Sequence, residues 1–141
     1  IIPFLQQFPE TNGKEAESLA SDLRSAERLP LFEFSQLARD AAKEHALDLS
    51  VTTKLSHYSS DGRSFSQRVR INGINKCAGE NIYTGKEEGL LALIMLLLDI
   101  GMDSAGHRKA LLSPQYVYMS PAFQSHKNET RSILVQVFTC K

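Results

Sequence analysis

The chain has 141 residues, with 16 Lys and Arg against 16 Asp and Glu and 42% hydrophobic side chains. That length suits one domain with a substantial core. Zero net charge without a block of like charges argues against a basic nucleic-acid-binding surface or a charged tail.

Residues 1–13 carry two prolines and no periodicity and read as an extended lead-in, which leaves 14–141 as a single domain. The chain opens without methionine, so a processed protein is expected, its signal or lipid anchor removed. Asn12 followed by Glu15 resembles a helix cap with a reciprocal acid. Ala16, Leu19, Ala20, Leu23 and Ala26 then repeat at three and four, predicting a helix over 14–27 that Pro30 stops. A second helix is expected over 34–49, with Phe34, Leu37, Ala38, Ala41, Ala42, Ala46 and Leu49 on one stripe. His45 lies at the edge of that stripe, where a satisfied core histidine is the ordinary reading.

"HYSSDGRS" is turn chemistry centred on Asp61-Gly62. Residues 64–71 predict a short helix presenting Phe65 and Val69, and 81–84 a short strand. A helix from Lys86 through the apolar run Leu90–Leu98 should be enclosed by other layers and end near Gly101. That run covers nine residues, about half of the roughly 18 needed to cross a bilayer, so no transmembrane segment is expected. A helix over 103–112 is stopped by Pro114, and "QYVYMSPAFQ" and "SILVQVFTC" read as an antiparallel hairpin. The class is α+β, with helices covering a small antiparallel sheet.

Cys77 and Cys140 have no partner at zinc-finger spacing; they are either one disulfide in an oxidising compartment or two buried thiols. Asn128-Glu129-Thr130 is a glycosylation sequon on the predicted hairpin turn.

Several segments in this order resemble the CAP superfamily of cysteine-rich secretory, antigen 5 and pathogenesis-related 1 proteins, and its short bacterial-type members most of all. They are "LARDAAKEHALDLS", "LSHYSSDG", "GENIYTG", "DIGMDSAGHRKALLSP" and "ILVQVF". The resemblance runs over about residues 14–140 and implies a three-layer α-β-α sandwich. It also implies a shallow cleft of two histidines and two acids. His57 and His107 match the histidines and Glu80 the first acid. Asp99 is preferred for the second acid; Asp103 is the alternative, in a position that suits a helix cap. Asn81 and Ser104 are further cleft candidates. Arg108 reads as a surface or salt-bridge residue.

Two imidazoles from separate segments suit a divalent metal such as zinc, with Glu80 and Asp99 orienting the rings or holding its waters. The plainer alternative is a structural His57–Glu80 pair tying a loop to the sheet. Asn81 is expected to satisfy backbone rather than contact ligand. The resemblance further implies a secreted, surface or periplasmic binding protein, its partner a lipid, a sterol or a host protein, and a monomer is favoured. A metal-assisted hydrolase with Glu80 as base is the alternative, and Ser56, Ser59 or Ser104 beside a histidine would be the nucleophilic variant. The chain has neither a GxSxG elbow nor an HExxH motif, so no catalytic residue is assigned.

Overall fold

In the computed structural model, residues 13–102 and 104–141 are described. The expected lead-in apart from Gly13, the Asn12 cap and Asp103 lie outside them. The elements run α1 (Lys14–Ser25), α2 (Gln36–Leu49), α3 (Phe65–Ile71), β1 (Ala78–Gly85), α4 (Gly89–Leu98), α5 (Gly106–Leu111), β2 (Tyr118–Ser125) and β3 (Ser132–Thr139).

The three strands form one antiparallel sheet in the order β1-β3-β2. β3 is central and buried along its whole length, which its unbroken run Ile133-Leu134-Val135 foreshadows. Its alternation feeds two cores. Ile133, Val135 and Val137 join Ala38, Ala41, Ala42, Ala46 and Leu49 of α2 and Val69 of α3. Leu134 and Phe138 join Leu19 of α1, the apolar face of α4 and Leu111 of α5. Helices thus cover both faces of the sheet, giving the three-layer α-β-α sandwich.

Several element ends move from their sequence-based places, each for a local reason. α2 begins at Gln36 because Ser35 caps it, its hydroxyl accepting from Ala38 N. Ser120 fixes Ser35 by accepting its N–H and donating to its carbonyl. Phe34 therefore precedes the helix and stays exposed, as does Leu37. α3 starts behind a full capping box between Ser64 and Gln67. α4 stops at Leu98 with Asp99 in the left-handed region (φ 54°), two residues before Gly101. Asp tolerates that conformation better than most residues. β1 is twice the expected length. Gly79 within it is required by packing, since a Cβ there would lie 2.6 Å from the Tyr116 hydroxyl, whose ring stacks on Phe138.

Candidate functional site

Glu80 and Asn81 are neighbours on β1, and consecutive strand residues point to opposite faces. Each anchors one half of the site. On the α2–α3 face, Glu80 Oε1 lies 2.9 Å from His57 Nδ1 and Oε2 lies 2.5 Å from Arg68 Nη2. Arg68 also donates to the His57 carbonyl at 2.8 Å, so one guanidinium holds both the carboxylate and the loop that carries the imidazole. The side chains of Glu80 and Arg68 are 2% and 1% exposed, whereas that of His57 is 54% exposed. The order is a buried cation, a buried anion and a ring at the surface.

On the opposite face, Asn81 donates to the His107 carbonyl and to Gln136 Oε1, each at 3.2 Å. Asp99 Oδ1 lies 2.6 Å from His107 Nδ1, and its Oδ2 accepts from His107 N at 2.8 Å and Arg108 N at 3.3 Å. α5 has Ala105 at its cap position and no local side-chain cap. Asp99 supplies that function from the end of α4 while orienting the ring. Here the Asp99 side chain is 1% and the His107 side chain 22% exposed.

Both histidines therefore present the same arrangement: Nδ1 against a buried carboxylate, and Nε2 without a hydrogen-bond partner among the described residues. No hydroxyl of Ser56, Ser59 or Ser104 bonds to either ring; Ser56 Oγ accepts from Tyr58 N, and Ser59 Oγ faces Arg68. Among the described residues no three His, Cys, Asp or Glu side chains come together to hold a metal ion.

Residues 18–141 match the family model described as "CAP: Cysteine-rich secretory protein family". The chain belongs to the CAP family. Its fold matches solved structures of the same kind. An extracellular protein containing an SCP domain from Bacillus anthracis str. Ames is 28% identical with a TM-score of 0.65, over 80% of this chain and 35% of that one. An outer surface protein from Borrelia burgdorferi is 20% identical, TM-score 0.65, over 93% and 95%. A cysteine-rich secretory protein from Staphylococcus aureus subsp. aureus Mu50 is 15% identical, TM-score 0.58, over 95% and 40%. This CAP chain thus spans about a third of the length of the Bacillus protein and nearly all of the Borrelia one. No curated protein matches its sequence.

Sequence reasoning about this CAP domain missed Arg68 and left Arg108 open between a surface and a salt-bridge position. Arg68 falls three residues after Phe65 and one before Val69, on the apolar face of α3, with its guanidinium 5.7 Å from the Phe65 ring centroid. An arginine on a buried stripe needs a buried anion, and that is the clue that was available. Arg108 is the salt-bridge alternative, paired with Asp22 at 2.9 Å. It is buried, donating to the Leu97 and Leu98 carbonyls that α4 leaves open, to the Glu15 carbonyl, and to Ser18 and Asp22 of α1.

His45 of α2 is buried under the Glu80 half of the site. Its Nε2 donates to the Ser56 carbonyl at 2.8 Å, so Nδ1 carries no proton; it has no hydrogen-bond partner, and Asp48 Oδ2 lies 3.9 Å away. Burial, first, and the charge of Arg68 lower its pKa below the ordinary 6.5, against Glu80, the Ser56 carbonyl and Asp48, which act in the other direction. A depressed folded-state pKa means that the unfolded chain binds the proton more readily. The stability contributed by neutral His45 is therefore complete above pH about 6.5 and is lost as pH falls through the folded value. Urea midpoints are expected to drop between pH 7.5 and 5, with a shallower drop in His45→Gln. Equal slopes in the two proteins would assign the loss to other groups.

Proposed function

We propose that this chain is an extracytoplasmic CAP binding module whose contact groups are the imidazoles of His57 and His107. The observation that carries the reading is the matched pair of dyads, each with a buried carboxylate behind an accessible ring. Ligating histidines are commonly oriented in this way, with one ring nitrogen held by an acceptor and the other left to bind. Zinc suits two neutral imidazoles with water completing its coordination. A location outside the cytoplasm is supported by the extracellular Bacillus relative and by the Cys77–Cys140 disulfide, which needs an oxidising compartment.

The hydrolase alternative is less well served. A general base needs a free lone pair directed at its substrate. Both oxygens of Glu80 are engaged, one by a buried guanidinium. Glu80 is placed to fix His57 rather than to take up a proton. The lipid, sterol or host-protein ligands that the family resemblance implies are candidate occupants of the same surface, and competition with zinc would separate them from adhesion elsewhere.

Zinc at 100 times its dissociation constant should raise stability by about 2.7 kcal/mol through mass action. The expected result is a zinc-dependent rise in melting temperature, reversed by chelator and absent in the His57→Ala, His107→Ala double variant. No rise in the parent protein removes the metal reading.

A further inference from the structure

α3 and the chain that follows it enclose a pocket that neither histidine lines. The helix ends in a Schellman turn around Gly73, whose φ of 83° suits glycine. Gly73 N donates to the Arg70 carbonyl at 3.0 Å and Ile74 N to the Val69 carbonyl at 2.8 Å. The chain then returns along the helix to Cys77, where the disulfide and the first rungs of β1 fix it. Both walls are therefore held by backbone and crosslink, not by the side chains that face the space between them.

That space has a volume of about 160 Å³. Its apolar lining is Phe65 with Val69 and Ile74, the last two only 5% exposed. Its polar lining is Ser66, Arg70, Asn75 and Lys76, all exposed. Ser66 and Arg70 stand four apart and so share one face of α3. Among the described residues, none of these four side chains makes a hydrogen bond or ion pair, although Gln67, Arg68 and Asn72 beside them all do. No acid lines this pocket. Two other hollows balance their cations: Asp22 pairs with Arg108 in one, and Glu129 with Arg131 in the other. Two cations gathered without an anion repel each other, and a bound dianion would relieve that repulsion.

We propose that this pocket binds a phosphate monoester, with the phosphate between Arg70 and Lys76 and the first carbon atoms of its stem against Phe65. Above its second pKa of about 6 the group is a dianion, which matches two cations. Arg70 offers a planar fork of donors for two phosphate oxygens, and Lys76 a compact charge for the third. Asn75 and Ser66 add uncharged donors. A carboxylate or a sulfate ester brings one charge and leaves one cation uncompensated. The volume limits the size of the occupant. Pockets for drug-sized ligands begin near about 300 Å³, so the phosphate and a short stem fill this one and the rest of a larger ester stays in solvent.

Methyl phosphate titrated into the isotope-labelled protein at neutral pH is the probe, followed by amide chemical shifts. The amides of Ser66, Arg70, Asn75 and Lys76 should shift together and saturate. Methyl sulfate, of the same shape with one charge fewer, should bind about tenfold more weakly, and a similar loss is expected for methyl phosphate with Arg70→Met or Lys76→Met. Lys54→Met removes an exposed lysine outside the pocket and should leave the affinity unchanged. Shifts that never saturate, equal binding of methyl sulfate, or an equal loss in Lys54→Met would each mean general charge attraction and overturn the proposal, as would saturation centred on other residues. The comparison of the two esters needs no variant to fold. Vesicles bearing phosphatidic acid, itself a monoester, distinguish the sources. Vesicle binding that Arg70→Met abolishes assigns a lipid headgroup, and no vesicle binding beside saturable methyl phosphate assigns a soluble ester; either result keeps the pocket. The zinc-dependent rise in melting temperature should persist in both pocket variants, so the failure of one reading leaves the other standing.

Discussion

Arg68→Met is expected to destabilise the folded chain by about 3–5 kcal/mol, the usual cost of removing one partner from a buried ion pair. The reason is what remains. Glu80 keeps its buried place on β1, with His57 and His45 beside Oε1, but loses the guanidinium 2.5 Å from Oε2. The carbonyl of His57 loses its donor in the same step. Methionine fills a similar volume, so an empty cavity contributes little to the loss. A second substitution separates charge from shape. In Arg68→Met with Glu80→Gln, the anion is removed as well, and much of the loss should return, because a buried pair replaced on both sides is often nearly neutral. Urea unfolding at pH 7 measures both. A single-variant loss under about 1 kcal/mol would place the pair with exposed salt bridges and refute the account of the site as held from beneath.

The double variant also distinguishes fold from function. Stability would be largely restored, yet His57 would have an amide behind it in place of a carboxylate. Its zinc response should stay weakened if orientation and charge at Nδ1 matter, because loss of such an outer partner typically costs tenfold or more in metal affinity.

α1 and α2 were legible from apolar residues at helical spacing, and α4 and β3 from unbroken apolar runs. Ala38, Ala41, Ala42 and Ala46 mark the face of α2 that packs on the sheet, and Ile133 to Phe138 mark the central strand. The pairing of His57 with Glu80 was readable only through family resemblance, since no local rule joins residues 23 positions apart. Asp99 shows the limit most clearly. Family resemblance nominates it for the site, but Gly101 reads as the cap that ends α4, and the left-handed turn at Asp99 carries its carboxylate to α5. Whether an aspartate caps its own helix or another depends on the path of the intervening chain. Arg68 was missed for a related reason: charge suggests surface, and only the three-dimensional arrangement supplies the anion that makes its burial tolerable.

The second large effect concerns the bond that sequence left open between disulfide and thiols. Cys77 and Cys140 are joined, with Cα atoms 5.5 Å apart across 63 positions of chain. They sit one step beyond the Ala78↔Thr139 pair, where the ladder bond from Cys140 N to the Cys77 carbonyl already aligns them. The crosslink therefore adds little order to the native state, and its main effect falls on the unfolded chain, whose ends it holds together. Loop-closure entropy for such a span is about 4 kcal/mol, and native disulfides commonly contribute about 2–5. Cys77→Ser with Cys140→Ser should lower the urea midpoint accordingly and raise the m-value, because the released chain exposes more surface on unfolding. Reductant should reproduce the effect in the parent and do nothing to the variant. An unchanged midpoint would show that the ladder alone fixes the strand ends. Since a domain of this size is stable by only about 5–15 kcal/mol, losing the crosslink would remove a large share of that margin, which ties the folded state to an oxidising compartment.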